Sequence, residues 1–268
     1  MKIIMRLIKI LAFSGVIAFN ATLSYSQEQT TVTNDTALGF TVSGQVALNS
    51  FMSISDAHLQ KMSDILTILS TSDDVLSGDW RRISARLKEV SHIYGHASYF
   101  YGLPDGTYRT VAHGLSKAKL SDRPFFSRLC SGHKVIGDLI IGRSTGRSSV
   151  VVAVPVHDHN NSFVGALGCS SFLNNLSEKV LQEMGGLEEG LFFFSVNAEP
   201  RGALHSDTSL IFANPMKLGD EGMRQAFKKM LASKDGVINY TFRGTQRIVL
   251  YRKSPVTGWW YALERMKQ

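Results

Sequence analysis

Residues 121–173 read SDRPFFSRLCSGHKVIGDLIIGRSTGRSSVVVAVPVHDHNNSFVGALGCSSFL, and the order of signals along them decides the fold. Asp122 stands ahead of Arg123–Cys130 as a natural cap for a short helix. Three strand-length runs follow at Val135–Ile141, Ser149–Val156 and Phe163–Ser170, rich in β-branched and apolar residues. The turns between them are Ser144-Thr145-Gly146-Arg147 and His159-Asn160-Asn161-Ser162. The block reads as an antiparallel sheet with a helix against it.

Upstream, Ser98–Tyr101 and Tyr108–His113 flank the turn Leu103-Pro104-Asp105-Gly106, a hairpin signal. Before the hairpin the period changes to that of a helix. Leu48, Met52, Leu59, Met62, Leu66 and Leu69 recur at spacings of three, four or seven, with Ser55 the polar gap. This predicts one long amphipathic helix ending near Ser70, the spine of the protein's own core. Dimerisation along it stays open, so the oligomeric state is not assigned. Asp79 caps a second helix through Trp80, Ile83, Leu87 and Val90.

Downstream, Leu173–Met184 reads as a helix stopped by Gly185-Gly186. A second block follows, with strands at Leu191–Val196, Val237–Phe242, Gln246–Tyr251 and Trp259–Leu263 and a helix at Met223–Leu231. Its turns are Arg243-Gly244 and Pro255-Val256-Thr257-Gly258, and Trp259 and Trp260 are expected to alternate between core and surface. Both blocks close with a long strand, a tight turn and a final strand, a weak structural repeat. The fold class is α+β: a long N-terminal helix followed by two modules, each an antiparallel sheet flanked by helices.

The first residues follow a different logic. Lys2, Arg6 and Lys9 precede an apolar Ile10–Phe19, and Ser24-Tyr25-Ser26 offers small residues at the positions a signal peptidase reads. Residues 1–26 are therefore expected to be a cleaved signal peptide, placing the mature chain in the periplasm. Residues 27–95 form the helical region (its start, Gln27–Gly39, expected to fray), 96–172 the first module, and 173–268 a connecting helix with the second. Cleavage takes the net charge from +7 to +4, since 26 basic residues remain against 22 acidic ones. The basic residues are scattered, which leaves nothing for a nucleic-acid footprint.

Export permits a disulfide between Cys130 and Cys169, and two separate buried thiols are the alternative. No zinc-ligand spacing, Gly-x-Ser-x-Gly elbow, His-Glu-x-x-His helix or phosphate-cradling loop occurs. His157, Asp158 and His159 sit together in a turn and read as solvated surface. The expectation is no enzyme, no metal and no cofactor.

Ser121-Asp122-Arg123-Pro124-Phe125-Phe126, Val135-Ile136-Gly137-Asp138, Arg143-Ser144-Thr145-Gly146-Arg147, Val150–Val156 and Val164-Gly165-Ala166-Leu167-Gly168 resemble, in order and spacing, the membrane-distal module of double Cache domains. Leu103–Tyr108 is also similar, and Gly236–Leu263, with Thr257-Gly258-Trp259, more loosely resembles the membrane-proximal, PAS-like module. The resemblance implies an extracytoplasmic sensor that binds a small molecule in its distal module. Arg123 would hold a carboxylate as a bidentate cation, with Phe125 and Phe126 as walls. Tyr99, Tyr101 and Tyr108 would add hydroxyls. Packing roles are the alternative: Arg123 braced by Asp122, and the two Phe in the core.

Amino-acid-binding members of that family carry an acid after the closing strand, where Cys169-Ser170-Ser171 stands here. With Ser170 in that place, a carboxylate or an uncharged metabolite fits better than an α-amino acid, unless Asp138 replaces the acid. No output domain follows before Gln268. A signal would then pass by contact with a separate membrane-bound signalling protein. A module that binds no ligand and serves only for interaction is the main alternative, with an unrecognised periplasmic enzyme behind it.

Overall fold

Ser43 starts the long helix: its hydroxyl accepts from the Val46 N–H at 3.3 Å. The computed structural model describes residues 43–267 except His96 and Ser144. The expected signal peptide (residues 1–26), the Gln27–Gly39 stretch and Ser144 of the first turn lie outside the described residues. Helix α1 (Gly44–Ser70) spans 27 residues, about 40 Å. Its buried stripe is Leu48, Phe51, Ser55, Asp56, Leu59, Ser63, Leu66 and Ser70, while Met52, Met62 and Leu69 lie at its margin. Ser55 is the polar gap expected in the stripe; Asp56, Ser63 and Ser70 were not expected, because a stripe read from apolar residues passes over polar ones. Ser55 donates to the Phe51 carbonyl at 2.8 Å, and Asp56 accepts from Ser254 Oγ at 2.7 Å and Tyr261 Oη at 3.2 Å.

A short helix α2 (Asp73–Leu76) leads to α3 (Trp80–Tyr94), capped as expected by Asp79, whose Oδ1 accepts from the Arg81 N–H at 2.9 Å. The first sheet contains β1 (Ala97–Gly102), β2 (Tyr108–Thr110), β3 (Gly114–Leu115), β4 (Val135–Ile141), β5 (Ser148–His157) and β6 (Phe163–Phe172). A 3₁₀ turn at Leu120–Asp122 and helix α4 (Phe126–Cys130) lie between β3 and β4. After α5 (Leu173–Glu183) come β7 (Leu191–Val196), β8 (Gly202–His205), α6 (Glu221–Leu231), β9 (Asp235–Phe242), β10 (Thr245–Lys253) and β11 (Trp260–Met266). Strand β8, four residues following Pro200, carried no strand signal in the sequence.

The strand orders are β3-β2-β1-β6-β5-β4 and β8-β7-β11-β10-β9, all neighbours antiparallel. With the two-residue β3 set aside, each block pairs its first strand with its last in the same order. The repeat seen weakly in sequence is a topological one.

One core joins the blocks. Leu48, Phe51, Leu59 and Leu66 of α1 pack on Val150, Val152 and Leu167 of the first sheet and on Phe193, Tyr261 and Leu263 of the second. Each outer face has its own cover: Leu120, Phe125, Phe126 and Leu129 on the first sheet, and Met223, Phe227 and Met230 of α6 on the second.

Trp259 and Trp260 correct the expected alternation, being only 1% and 4% exposed. Trp259 lies just before β11, where strand periodicity does not apply. Its Nε1–H crosses to the first sheet and donates to the Gly137 carbonyl at 2.8 Å. Gly137 (φ +100°) sits at a β-bulge, and a Cβ there would stand 3.0 Å from the Thr257 carbonyl oxygen and 3.2 Å from Thr257 Cα. Trp260 Nε1–H donates to the Ser233 carbonyl at 2.7 Å.

The two cysteines are free, which corrects the bridged alternative. Cys169 pairs with Tyr99 across β6 and β1 and is fully buried on the α1 face. Cys130 is exposed at the end of α4, which covers the opposite face. The sheet lies between them.

Candidate functional site

Strand alternation in β1 sorts the expected tyrosines. Phe100 belongs to the outer-face cluster, whereas Tyr99 and Tyr101 pack with α1, 3% and 5% exposed. Tyr101 Oη donates to the Val164 carbonyl at 3.4 Å, and Tyr99 Oη has no partner in that packing. Burial raises the hydroxyl pKa of both. This corrects their placement at the ligand cavity: odd positions of β1 face the spine helix, even ones the outer cover.

That cover encloses a cavity of about 40 Å³. Of the expected ligand residues, Tyr108, Arg123, Phe125 and Ser170 line it, together with Ser98, Phe100, Thr110, Leu120, Arg143 and Thr145. Phe126 packs beside it in the outer cluster without lining it. Asp138 is also corrected: past the bulge at Gly137, its carboxylate accepts from Arg128 Nη2 at 2.5 Å, away from the cavity. No acid therefore takes the place that Ser170 leaves.

Gly168 shapes the floor. A Cβ there would lie 2.2 Å from Phe100 Cζ, so only a glycine lets that ring lie across the paired strand β6. Strand periodicity identifies Phe100 and Ser98 as one face. Only the helix docked on the opposite face makes it the cavity face.

Two guanidinium groups enter the cavity from different elements. Arg123, between the 3₁₀ turn and α4, donates through Nη2 to the Ile141 carbonyl at 2.9 Å. Arg143, in the β4–β5 turn, donates through Nη1 to Asp122 Oδ2 at 2.8 Å. Asp122 is thus the partner of Arg143, not a helix cap or the brace of Arg123. Among the described residues no carboxylate pairs with Arg123. Burial and then the Arg143 charge hold its pKa below the usual guanidinium range, with the group still cationic. The site is a small, hydroxyl-edged space with one uncompensated cation. Arg143 and Thr145 belong to a stretch that reads in sequence as a turn and as part of the family resemblance, without being marked as cavity residues.

His157 ends β5 and His159 lies in the turn after it. Asp158 Oδ1 accepts from the Asn160 and Ser162 N–H groups and shapes the turn. Among the described residues no three His, Cys, Asp or Glu side chains converge as metal ligands, and no helix is long and apolar enough to cross a membrane.

No family model and no curated protein matches the chain by sequence. Solved structures match by fold. The chain is similar to the sensor domain of the Vibrio cholerae histidine kinase DctB at TM-score 0.63 and 16% identity, covering 84% of this chain and 96% of that one. The ligand-binding domain of the Pseudomonas fluorescens chemoreceptor CtaA, solved with L-serine, aligns at TM-score 0.62 and 16% identity over 83% and 93%. That of the Campylobacter jejuni chemoreceptor Tlp3, solved with L-valine, aligns at TM-score 0.59 and 10% identity over 83% and 89%. The fold is that of double Cache, PAS-like sensor domains.

Proposed function

We propose that the protein is a periplasmic sensor module whose N-terminal Cache module binds a monocarboxylate the size of acetate through Arg123. The observation that carries this is the Arg123 guanidinium, held by the Ile141 carbonyl but by no carboxylate among the described residues, in a cavity of about 40 Å³ lined by no acid. At about 10–15 Å³ per water-sized occupant, that space admits about three or four non-hydrogen atoms. A carboxylate is the anion a planar guanidinium grips with two parallel hydrogen bonds. Tyr108, Ser98 and Ser170 supply polar edges, and Phe100 and Phe125 face the methyl end. The amino acids bound by CtaA and Tlp3 are less suited to this cavity: a branched side chain overfills it, and an ammonium group would meet Arg123 and Arg143 without a counter-charge.

The bound state would be passed to a membrane-bound signalling partner by contact. Calorimetric titration with acetate, propionate, lactate, L-serine and L-valine tests the site. A short monocarboxylate is expected to bind, and Arg123→Ala to weaken it about 100-fold, roughly 3 kcal/mol for the lost charge-assisted pair. Unchanged affinity in that variant, or binding of the amino acids alone, would overturn the assignment. Recovery of no inner-membrane protein after cross-linking, with or without acetate, would count against a signalling partner.

A further inference from the structure

We infer that the C-terminal module holds a second ligand site, for an uncharged planar ring compound carrying carbonyl or ring-nitrogen acceptors. It lies between the outer face of β7, β11 and β10 and the cover made by α6 and the 207–218 loop. The inference is independent of the carboxylate site proposed above. The cavity there measures about 140 Å³, over three times the first. By the same measure it admits about ten non-hydrogen atoms, the size of a one- or two-ring compound.

Its walls are flat. Phe194 and Phe227 stand 5.8 Å apart between ring centres, Phe227 and Tyr240 5.5 Å, and His205 stacks on Phe194 at 6.0 Å with 19° between planes. Such surfaces favour a planar occupant.

Among the polar groups of the lining, an ion pair is closed on itself and one ring N–H is left to meet an acceptor. Arg247 and Glu264 are a buried ion pair, 9% and 7% exposed, with Nη1 and Oε1 2.8 Å apart. Tyr240 Oη donates to the other carboxylate oxygen, which satisfies Glu264 on both sides. Arg247 Nε–H, however, is buried with no acceptor. Burying an ion pair seldom improves stability over an apolar filling, and leaving one of its donors unmet worsens it. His205 supplies another donor. Its Nδ1 accepts from the Asp207 N–H at 2.8 Å, so its Nε2 carries the ring proton. Burial lowers its pKa to about 4, keeping the ring neutral.

Charge separates this cavity from the first. Arg247 cancels Glu264, and at the mouth Arg243 lies 3.9 Å from Asp207. With no uncompensated ion, the lining does not select an anion or a cation.

Ligand-observed magnetic resonance and calorimetry with nicotinamide, uracil and hypoxanthine as uncharged rings, and with acetate, benzoate and phenethylamine as charged controls, test the site. At least one uncharged ring is expected to bind. His205→Phe keeps the stack and removes the donor, and is expected to weaken that binding at least tenfold. Ala213→Phe, at the cavity wall, is expected to abolish it, while Arg123→Ala leaves it unchanged. Circular dichroism confirms that each variant is folded. Binding of none of the uncharged rings, or of the charged compounds alone, would overturn the inference. So would ring binding that survives both His205→Phe and Ala213→Phe, or that is lost in Arg123→Ala.

Discussion

Replacing Trp259 by Phe perturbs the seam between the two modules at its largest fully buried side chain. Trp259 is 1% exposed, and its Nε1–H reaches the Gly137 carbonyl at 2.8 Å. The phenyl ring keeps most of the apolar contact but removes three ring atoms, two of them carbons. At about 0.8 kcal/mol per buried methylene-sized group, the lost burial costs roughly 1.5–2 kcal/mol. The orphaned Gly137 carbonyl, out of reach of water, adds about 1–2 kcal/mol. The expected loss is therefore about 3 kcal/mol, a fall in Tm of roughly 6–12 °C for a domain of this length. Urea denaturation followed by circular dichroism reads it directly. Gly137→Ala strains the same contact from the other side, because its Cβ would crowd Thr257. The two losses should combine to less than their sum, since both break one seam. A loss under 0.5 kcal/mol in Trp259→Phe, or full additivity with Gly137→Ala, would refute the idea that this hydrogen bond ties the modules together.

Gly168→Ala should push Phe100 into the N-terminal cavity, lowering Tm and weakening acetate binding at least tenfold; calorimetry showing wild-type affinity would contradict the role given to that ring. His205 is expected to make stability depend on pH. Its folded pKa, about 4, lies below the ordinary 6.5, so the unfolded chain binds more protons and stability is lost as pH falls through that window. The effect is on the order of 2–3 kcal/mol, and His205→Phe should remove it; parallel Tm curves for the two proteins between pH 7 and 4.5 would exclude it. Thiol labelling of the native protein should modify Cys130 alone. Cys169, buried and with its pKa raised to about 12, should react only after unfolding, and mass spectrometry showing a bridge or two fast thiols would overturn this.

Much of the architecture is legible in the residues themselves. Asp79 announces α3, Gly185-Gly186 follows the end of α5, and the β-branched and apolar runs mark β4, β5, β6 and β7 to within two residues. These signals are local: a cap, a turn or a period depends on residues a few places apart, and the chain carries them before it folds. Arg123, Phe125, Tyr108 and Ser170, the expected ligand residues that the family resemblance implies, line one cavity in the structure.

What the tertiary structure alone decided concerns facing and pairing. Period two says that Tyr99 and Tyr101 share a face and Ser98 and Phe100 the other, but not which face meets α1. That choice, set by Leu59, Leu66 and their partners packing on Val150 and Val152, took the two tyrosines out of the site and put Phe100 in. The same docking separated Cys130 from Cys169. The bulge at Gly137 handed Asp138 to Arg128, and the fold brought Arg143 to Asp122, twenty-one residues away in the chain. The buried cluster of Arg247, Glu264 and Tyr240 arose the same way, on three adjacent strands whose register appears only when the sheet closes. Contacts between distant residues depend on how whole elements pack, and no local pattern encodes that.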